Sequence, residues 1–241
     1  MADLKLPTLQ HFVTLCGGSV ENIYKRIVHR ENDKVVVSYN TLRTKWLFDL
    51  IQLGVPYEDI KRACEKIRGE KNREANLAAL AALKPYLELV VGTNCVIFDK
   101  TYYPIGRGLL VPVNPPLLLI KGSERKVLWV SFWSTRKLTG FVASLFATIM
   151  EQSVFLLPDL REFELELVDL SRPEKGHPRS MLIKRRNDFE TLDSEMLQLE
   201  MDKFVEALQR RMSERAPASE VVKPARSLGL DGLPLFLDRG I

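Results

Sequence analysis

Between Asn94 and Trp133 the chain breaks into four short apolar runs, "NCVIFD", "GLLVPV", "PLLLIKG" and "KVLWVSFW". Gly, Pro, Asn and charged residues separate them. Runs of this length, bounded by turn formers, read as β-strands. A sheet built from them needs an apolar layer packed against it, and helical sequence stands on both sides of the runs. "SVENIYKRIVHR" places Val20, Ile23, Tyr24, Ile27 and Val28 at helical spacing, with Ser19 as N-cap. After a short strand-like "KVVVSY", "NTLRTKWLFDLIQLG" begins at Asn40 and stops at Gly54. "VPYEDIKRACEKIRG" has Pro56 near its start and Gly69 at its end, the usual punctuation of a helix. "NREANLAALAALKPYLEL" is helical until Pro85, where a perturbation is expected.

Downstream of the runs, "LTGFVASLFATIMEQ" is a helix apolar on most sides, and so well buried. "REFELELVDL" alternates Glu162, Glu164 and Glu166 with Phe163, Leu165 and Leu167, the period of a strand with one wet face. "MLIKRR" is its antiparallel neighbour, with Lys184, Arg185 and Arg186 expected against the acids. "DFETLDSEMLQLEMDKFVEALQRRM" is a long amphipathic helix whose stripe is Leu192, Met196, Leu199, Phe204 and Leu208. The expected fold is therefore α+β, an N-terminal helical region followed by a mixed β-sheet core flanked by helices. The expected division is a helical region over 1–88 with a possible helix-turn-helix, an α/β core over 89–212, and a linker with an apolar tail over 213–241.

Composition narrows the chemistry. With 46% hydrophobic and 27% charged residues, the 241-residue chain has material for a sizeable core. A net charge of +4 is too small to identify a nucleic-acid partner, so any basic patch must be found by position. The three cysteines, Cys16, Cys64 and Cys95, are far apart and form no CxxC, which points to a reduced, cytoplasmic setting. Cys95 reads as a buried small hydrophobe. The N-terminus has no apolar run behind a basic start, and no stretch reaches the ~20 apolar residues a membrane span needs. No phosphate-cradling glycine motif occurs. His11, His29 and His177 are scattered, which argues against zinc, and no cofactor is expected.

The acidic row admits two readings. Carboxylates on a strand can hold Mg²⁺, and on that alternative Asp159, Glu164 and Asp169 are the catalytic acids. On the other reading the row is strand geometry relieved by the "IKRR" bases. Asp169 differs from its neighbours because it shares the parity of Phe163, Leu165 and Leu167. Facing inward, it needs partners, or caps the turn toward Pro173.

The element order of helix, three or four β-runs, helix and strand resembles the core of the PD-(D/E)xK nuclease fold, over about residues 75–170. That resemblance implies an Asp on the second core strand and an acid-x-Lys triplet on the third, just before a helix. The run in the third position, "VLWVSFWSTRKLTGF", leads into the helix but holds no acid-x-Lys, and Val130, Ser131 and Phe132 fill the triplet. The resemblance then implies a copy without the family's metal ligands, one that does not cut nucleic acid by that route.

Basic groups interleaved with aromatics suit phosphate contacts and base stacking. The candidates are Lys25 and Arg26 in "YKRIVHR", Arg136 and Lys137 in "STRKLTG", and Lys184, Arg185 and Arg186 in "IKRR", with a further cluster at "LRTKW". In the tail, Leu233, Leu235 and Phe236 form a candidate docking segment for a partner or for the chain itself. The leading expectation is a non-enzymatic binding module of a cytoplasmic complex, contacting nucleic acid, protein or both. The alternatives are a Mg²⁺-dependent nuclease with acids in 159–169 and a structural protein that assembles as a homo-oligomer.

Overall fold

The structure, a computed structural model, describes residues 6–32, 37–135, 138–174 and 176–215. It is an α+β fold built on a mixed five-stranded sheet in the order β1-β4-β5-β6-β7. The strands are β1 (Asn94–Ile97), β4 (Leu117–Lys121), β5 (Glu124–Ser131), β6 (Glu164–Asp169) and β7 (Leu182–Arg185). β5 and β6 run parallel, joined through helix α6 (Gly140–Ser153), and the other neighbours are antiparallel. A separate hairpin pairs β2 (Thr101–Gly106) with β3 (Leu109–Val113).

Both faces of the sheet are covered. One face packs α1 (Leu9–Leu15), α2 (Val20–Asn32), α6, α7 (Ser194–Arg215) and the β2–β3 hairpin into a single core. Phe12, Ile23, Trp129, Phe146, Leu167 and Phe204 are among its members. The opposite face packs α4 (Tyr57–Glu65), α5 (Glu70–Leu89) and the segment from a π turn at Leu42–Trp46 into α3 (Leu47–Ile51). Its core includes Trp46, Leu83, Tyr86, Leu128, Val130 and Val168. The helices of residues 1–88 thus divide between the two faces of the sheet. The unbroken "VLWV" of β5 follows from this, since a strand buried on both sides has no wet parity.

Several expectations are adjusted. Ser19 caps α2 as expected, its Oγ accepting the Asn22 N–H at 3.3 Å. The strand expected in "KVVVSY" falls partly on 33–36, outside the described residues, and Val37–Tyr39 are irregular. Helix α5 runs straight through Pro85 to Leu89. The hydrogen bond that the ring removes would have ended on Ala81, which is exposed, so water is available to its carbonyl. The buried stripe of α7 is Leu197, Met201, Phe204, Val205 and Leu208, while Met196 and Leu199 face outward. Hairpin strand β2, "TYYPIG", was not expected. Its polar and aromatic composition hides an alternation in which only Tyr103 and Ile105 are buried.

Gly17 links α1 to α2. Its φ of +89° lies in the region that favours glycine, and a Cβ there would come within 3.3 Å of the Phe141 ring. Among the described residues no helix is long and apolar enough to cross a membrane.

Candidate functional site

β4 pairs with β5 only as far as Leu117 opposite Leu128, while β5 continues to Ser131. Among the described residues, Trp129, Val130 and Ser131 therefore have β6 on one side and no strand on the other. Backbone and side-chain polar groups exposed by such a gap need other partners. Gln10 of α1 supplies two of them. Its Oε1 accepts the Trp129 indole N–H at 3.1 Å, and its Nε2 donates to the buried Ser131 hydroxyl at 3.2 Å.

Arg43 reaches the same gap from the π turn. Its guanidinium carbon lies 5.6 Å from the centre of the Trp129 ring, and Nη2 donates to the Asn114 carbonyl in the β3–β4 connection. Burial pushes its pKa below the usual arginine value. Among the described residues no carboxylate lies in ion-pair contact with it, and its remaining N–H groups are not among the sealed, partnerless atoms. A guanidinium half withdrawn from water without a counter-ion costs free energy, and its free donors still reach the surface.

A second guanidinium closes the end of the β5–β6 pair. Arg179 Nη1 donates to the carbonyls of Phe132, Trp133 and Leu170 at 3.0, 2.8 and 2.9 Å. Its Nη2 donates to the Tyr39 hydroxyl at 2.6 Å, and Tyr39 stacks on Phe132 at 5.4 Å between ring centres. Burial lowers the Arg179 pKa and raises that of Tyr39. Arg179 Nε and the hydroxyl of Ser171 are buried with no hydrogen-bond partner among the described residues. Asp169 turns inward as expected and accepts the Ser171 N–H at 3.0 Å. It caps the turn, and it adds an attractive charge to Arg179. Arg172, exposed beside it, forms an isolated bridge with Thr135. Cationic donors thus outnumber carboxylates at this end of the sheet, which suits an anion more than a cation.

The opposite end of the pair is closed by an ion pair. Glu166 is buried, and it accepts the Tyr86 hydroxyl at 2.7 Å and pairs with Lys126 at 3.0 Å. Burial first, and then Glu166, push the Tyr86 pKa upward. The expectation that Glu166 faces water is corrected. Helix α5 covers that face, and the carboxylate is tolerated because two donors satisfy it. Arg185 stands opposite Glu166 in register, as expected of the antiparallel neighbour. A cleft of about 530 Å³ opens here, lined by Tyr86, Lys126, Glu166, Arg185 and Asp188.

The acids of the nuclease alternative do not converge. Asp159 is exposed in a 3-10 turn, Glu164 is exposed at the start of β6 and Asp169 is buried at its end. At about 3.3 Å per residue the last two are roughly 16 Å apart, and they point to opposite faces. Among the described residues no three His, Cys, Asp or Glu side chains form a group able to hold a metal ion.

The basic candidates separate into two kinds. Arg26 Nη1 binds the carbonyls of Leu15, Cys16 and Gly17 at 3.0, 2.6 and 2.8 Å and so closes the end of α1. Arg186 pairs with Glu151 and lies 4.2 Å over the Phe155 ring. These two are occupied in holding the fold. Lys25 is exposed beside Glu21 at 3.5 Å, Lys184 lies 5.5 Å over Phe189, and Arg185 lines the cleft. Arg136, Lys137, Leu233, Leu235 and Phe236 lie outside the described residues.

The sequence reading passed over Gln10, Arg43 as an individual group, Arg179 and Lys126. Of these only Lys126 stands in a legible pattern, the acid-x-Lys of Glu124, Arg125 and Lys126 that opens β5. It lies at the hairpin end of the strand, away from the helix that follows.

No protein-family model matches this chain, and no curated protein matches it. Among solved structures, that of SSO0001 is similar at 13% identity with a TM-score of 0.32, over 83% of this chain and 90% of that one. That likeness is too distant to inform fold or function.

Proposed function

We propose that this chain is a non-enzymatic binding module of a cytoplasmic complex, and that it contacts nucleic acid through phosphates at the Arg43 end of the β5–β6 pair. The observation that carries this reading is Arg43, a half-buried guanidinium with free donors and no carboxylate in contact among the described residues. A phosphate oxygen is the kind of partner that would relieve its desolvation, through charge-assisted hydrogen bonds. Arg172 adds an exposed cation beside the same end. On the nuclease resemblance, the triplet of the third core strand falls on Val130–Phe132. The group there is the Ser131 hydroxyl held by Gln10, with Arg43 alongside instead of acids. Such a site binds a phosphodiester and lacks the acid pair that would position metal ions to cleave it. The three cysteines are free and buried, in keeping with a reduced compartment.

The test is fluorescence polarisation with labelled single- and double-stranded oligonucleotides at two salt concentrations. Binding should weaken as salt rises, and Arg43→Met and Arg172→Ala should each reduce both affinity and the salt slope. A flat salt response, or no binding, removes the nucleic-acid reading. A plasmid-nicking assay with Mg²⁺ is the counter-test, and nicking abolished by Asp169→Ala would replace binding with catalysis.

A further inference from the structure

Helices α1, α2 and α7 meet in an apolar groove of about 230 Å³, lined by Leu6, Pro7, Leu15, Ile27, Phe204 and Leu208, with Arg30 and Glu31 at its rim. The space is below the range of small-molecule sites and suits a few apolar side chains of a peptide. We infer that the groove receives the chain's own segment from Leu230 to Asp238, with Leu233, Leu235 and Phe236 as the anchors.

The end of α7 supports this occupant. Arg215 pairs with Glu31 at 3.0 Å and Arg211 with the same carboxylate at 2.8 Å, so the described chain ends at the groove's rim. Seventeen residues separate Arg215 from Leu233. That length can span roughly 23 Å at coil dimensions, enough to reach back to the groove. Tethering at that length gives the segment an effective concentration on the order of millimolar, so weak contacts suffice.

Hydrogen exchange on the full-length chain tests the inference. Phe236→Asp and Leu235→Asp should speed exchange of α2 and α7 amides around Ile27 and Phe204 by about tenfold and leave those of β5 and β6 unchanged. Protection that stays the same over a tenfold range of protein concentration marks an occupant from the same chain. The inference is overturned if the tail variants exchange like the wild type. It is overturned equally if protection follows concentration, which places the segment in a second copy. Loss of protection on deleting residues 2–5 but not in Phe236→Asp assigns the groove to the N-terminus instead, and also overturns it.

Discussion

Two carboxylates of β6 are buried three residues apart, on opposite faces of one sheet, and they are stabilised in different ways. Glu166 is held by side chains distant in sequence, Tyr86 on α5 and Lys126 on β5. Asp169 caps its own turn through the Ser171 N–H, with a guanidinium nearby. The first arrangement satisfies its acid with two donors beside a cleft. At the other end Asp169 lies near Arg179, while Arg43 has no carboxylate in contact among the described residues. A buried acid is thus weak evidence of function until its partners are known, and an arginine without an acid partner says more.

The strongest test of that contrast is Glu166→Ala. It leaves Lys126 with only the exposed Glu124 at 3.5 Å and the Tyr86 hydroxyl without its acceptor. It should cost about 3 kcal/mol in urea unfolding, the lower range for breaking a buried pair because Lys126 keeps some water. The loss should be less than additive with Tyr86→Phe, and strict additivity would show that the two side chains do not share one interaction. Asp169→Ala comes next, at about 2 kcal/mol, because it strands one buried N–H and removes a charge near Arg179. If it costs more than Glu166→Ala, the local cap at Asp169 matters more to the fold than the long-range pair at Glu166.

Arg43→Met should separate binding from stability. Oligonucleotide affinity should fall about tenfold, equivalent to about 1.4 kcal/mol, with the urea midpoint unchanged or higher because a desolvated charge is gone. A drop in the midpoint would make Arg43 a packing group like Arg26.

The smallest effect concerns the α5 face, where burial pushes the thiols of Cys64 and Cys95 up from about 9 to about 11. Below pH 9 both states hold the protons, and these groups add no slope. Between pH 9 and 11 the unfolded chain releases them first, so stability falls as pH rises, by about 1 kcal/mol for each thiol at pH 10. Urea midpoints at pH 8 and 10 for wild type and Cys95→Ala measure it, and equal slopes would mean that Cys95 is wetter than its burial implies.

Much of the fold was legible because strands and helices carry their period in the residues themselves. The four β-runs, the β6–β7 pairing, the Ser19 cap and the burial of α6 all follow from local pattern. Local pattern does not say how many faces of a sheet are covered. Alternation in "REFELELVDL" therefore predicts one wet face, whereas Glu166 lies under α5. The stripe of α7 slipped for a similar reason, since Met196 and Leu199 are as apolar as Leu197 and Met201 and only packing distinguishes them. The candidate site was nearly invisible. Gln10, Tyr39 with Arg43, Ser131 and Arg179 come from four separate stretches, and they meet where β5 extends beyond β4. Of these, Arg43 lies in a stretch that stands out in the sequence, the "LRTKW" cluster, but nothing there marks it as an arginine with no carboxylate in contact among the described residues.

The contact between α2 and α7 has a consequence for synthesis on the ribosome. Glu21 and Arg210 are 189 residues apart, yet they form an ion pair between these two helices. At about 5–20 residues per second, the apolar side of α2 waits about ten to forty seconds for the helix that covers it. During that interval Ile23 and Ile27 belong to an unfinished core, and the nascent chain depends on whatever shields such surfaces in the cell. Substitutions that weaken α7 should therefore reduce the yield of folded protein more than they reduce the stability of what has folded.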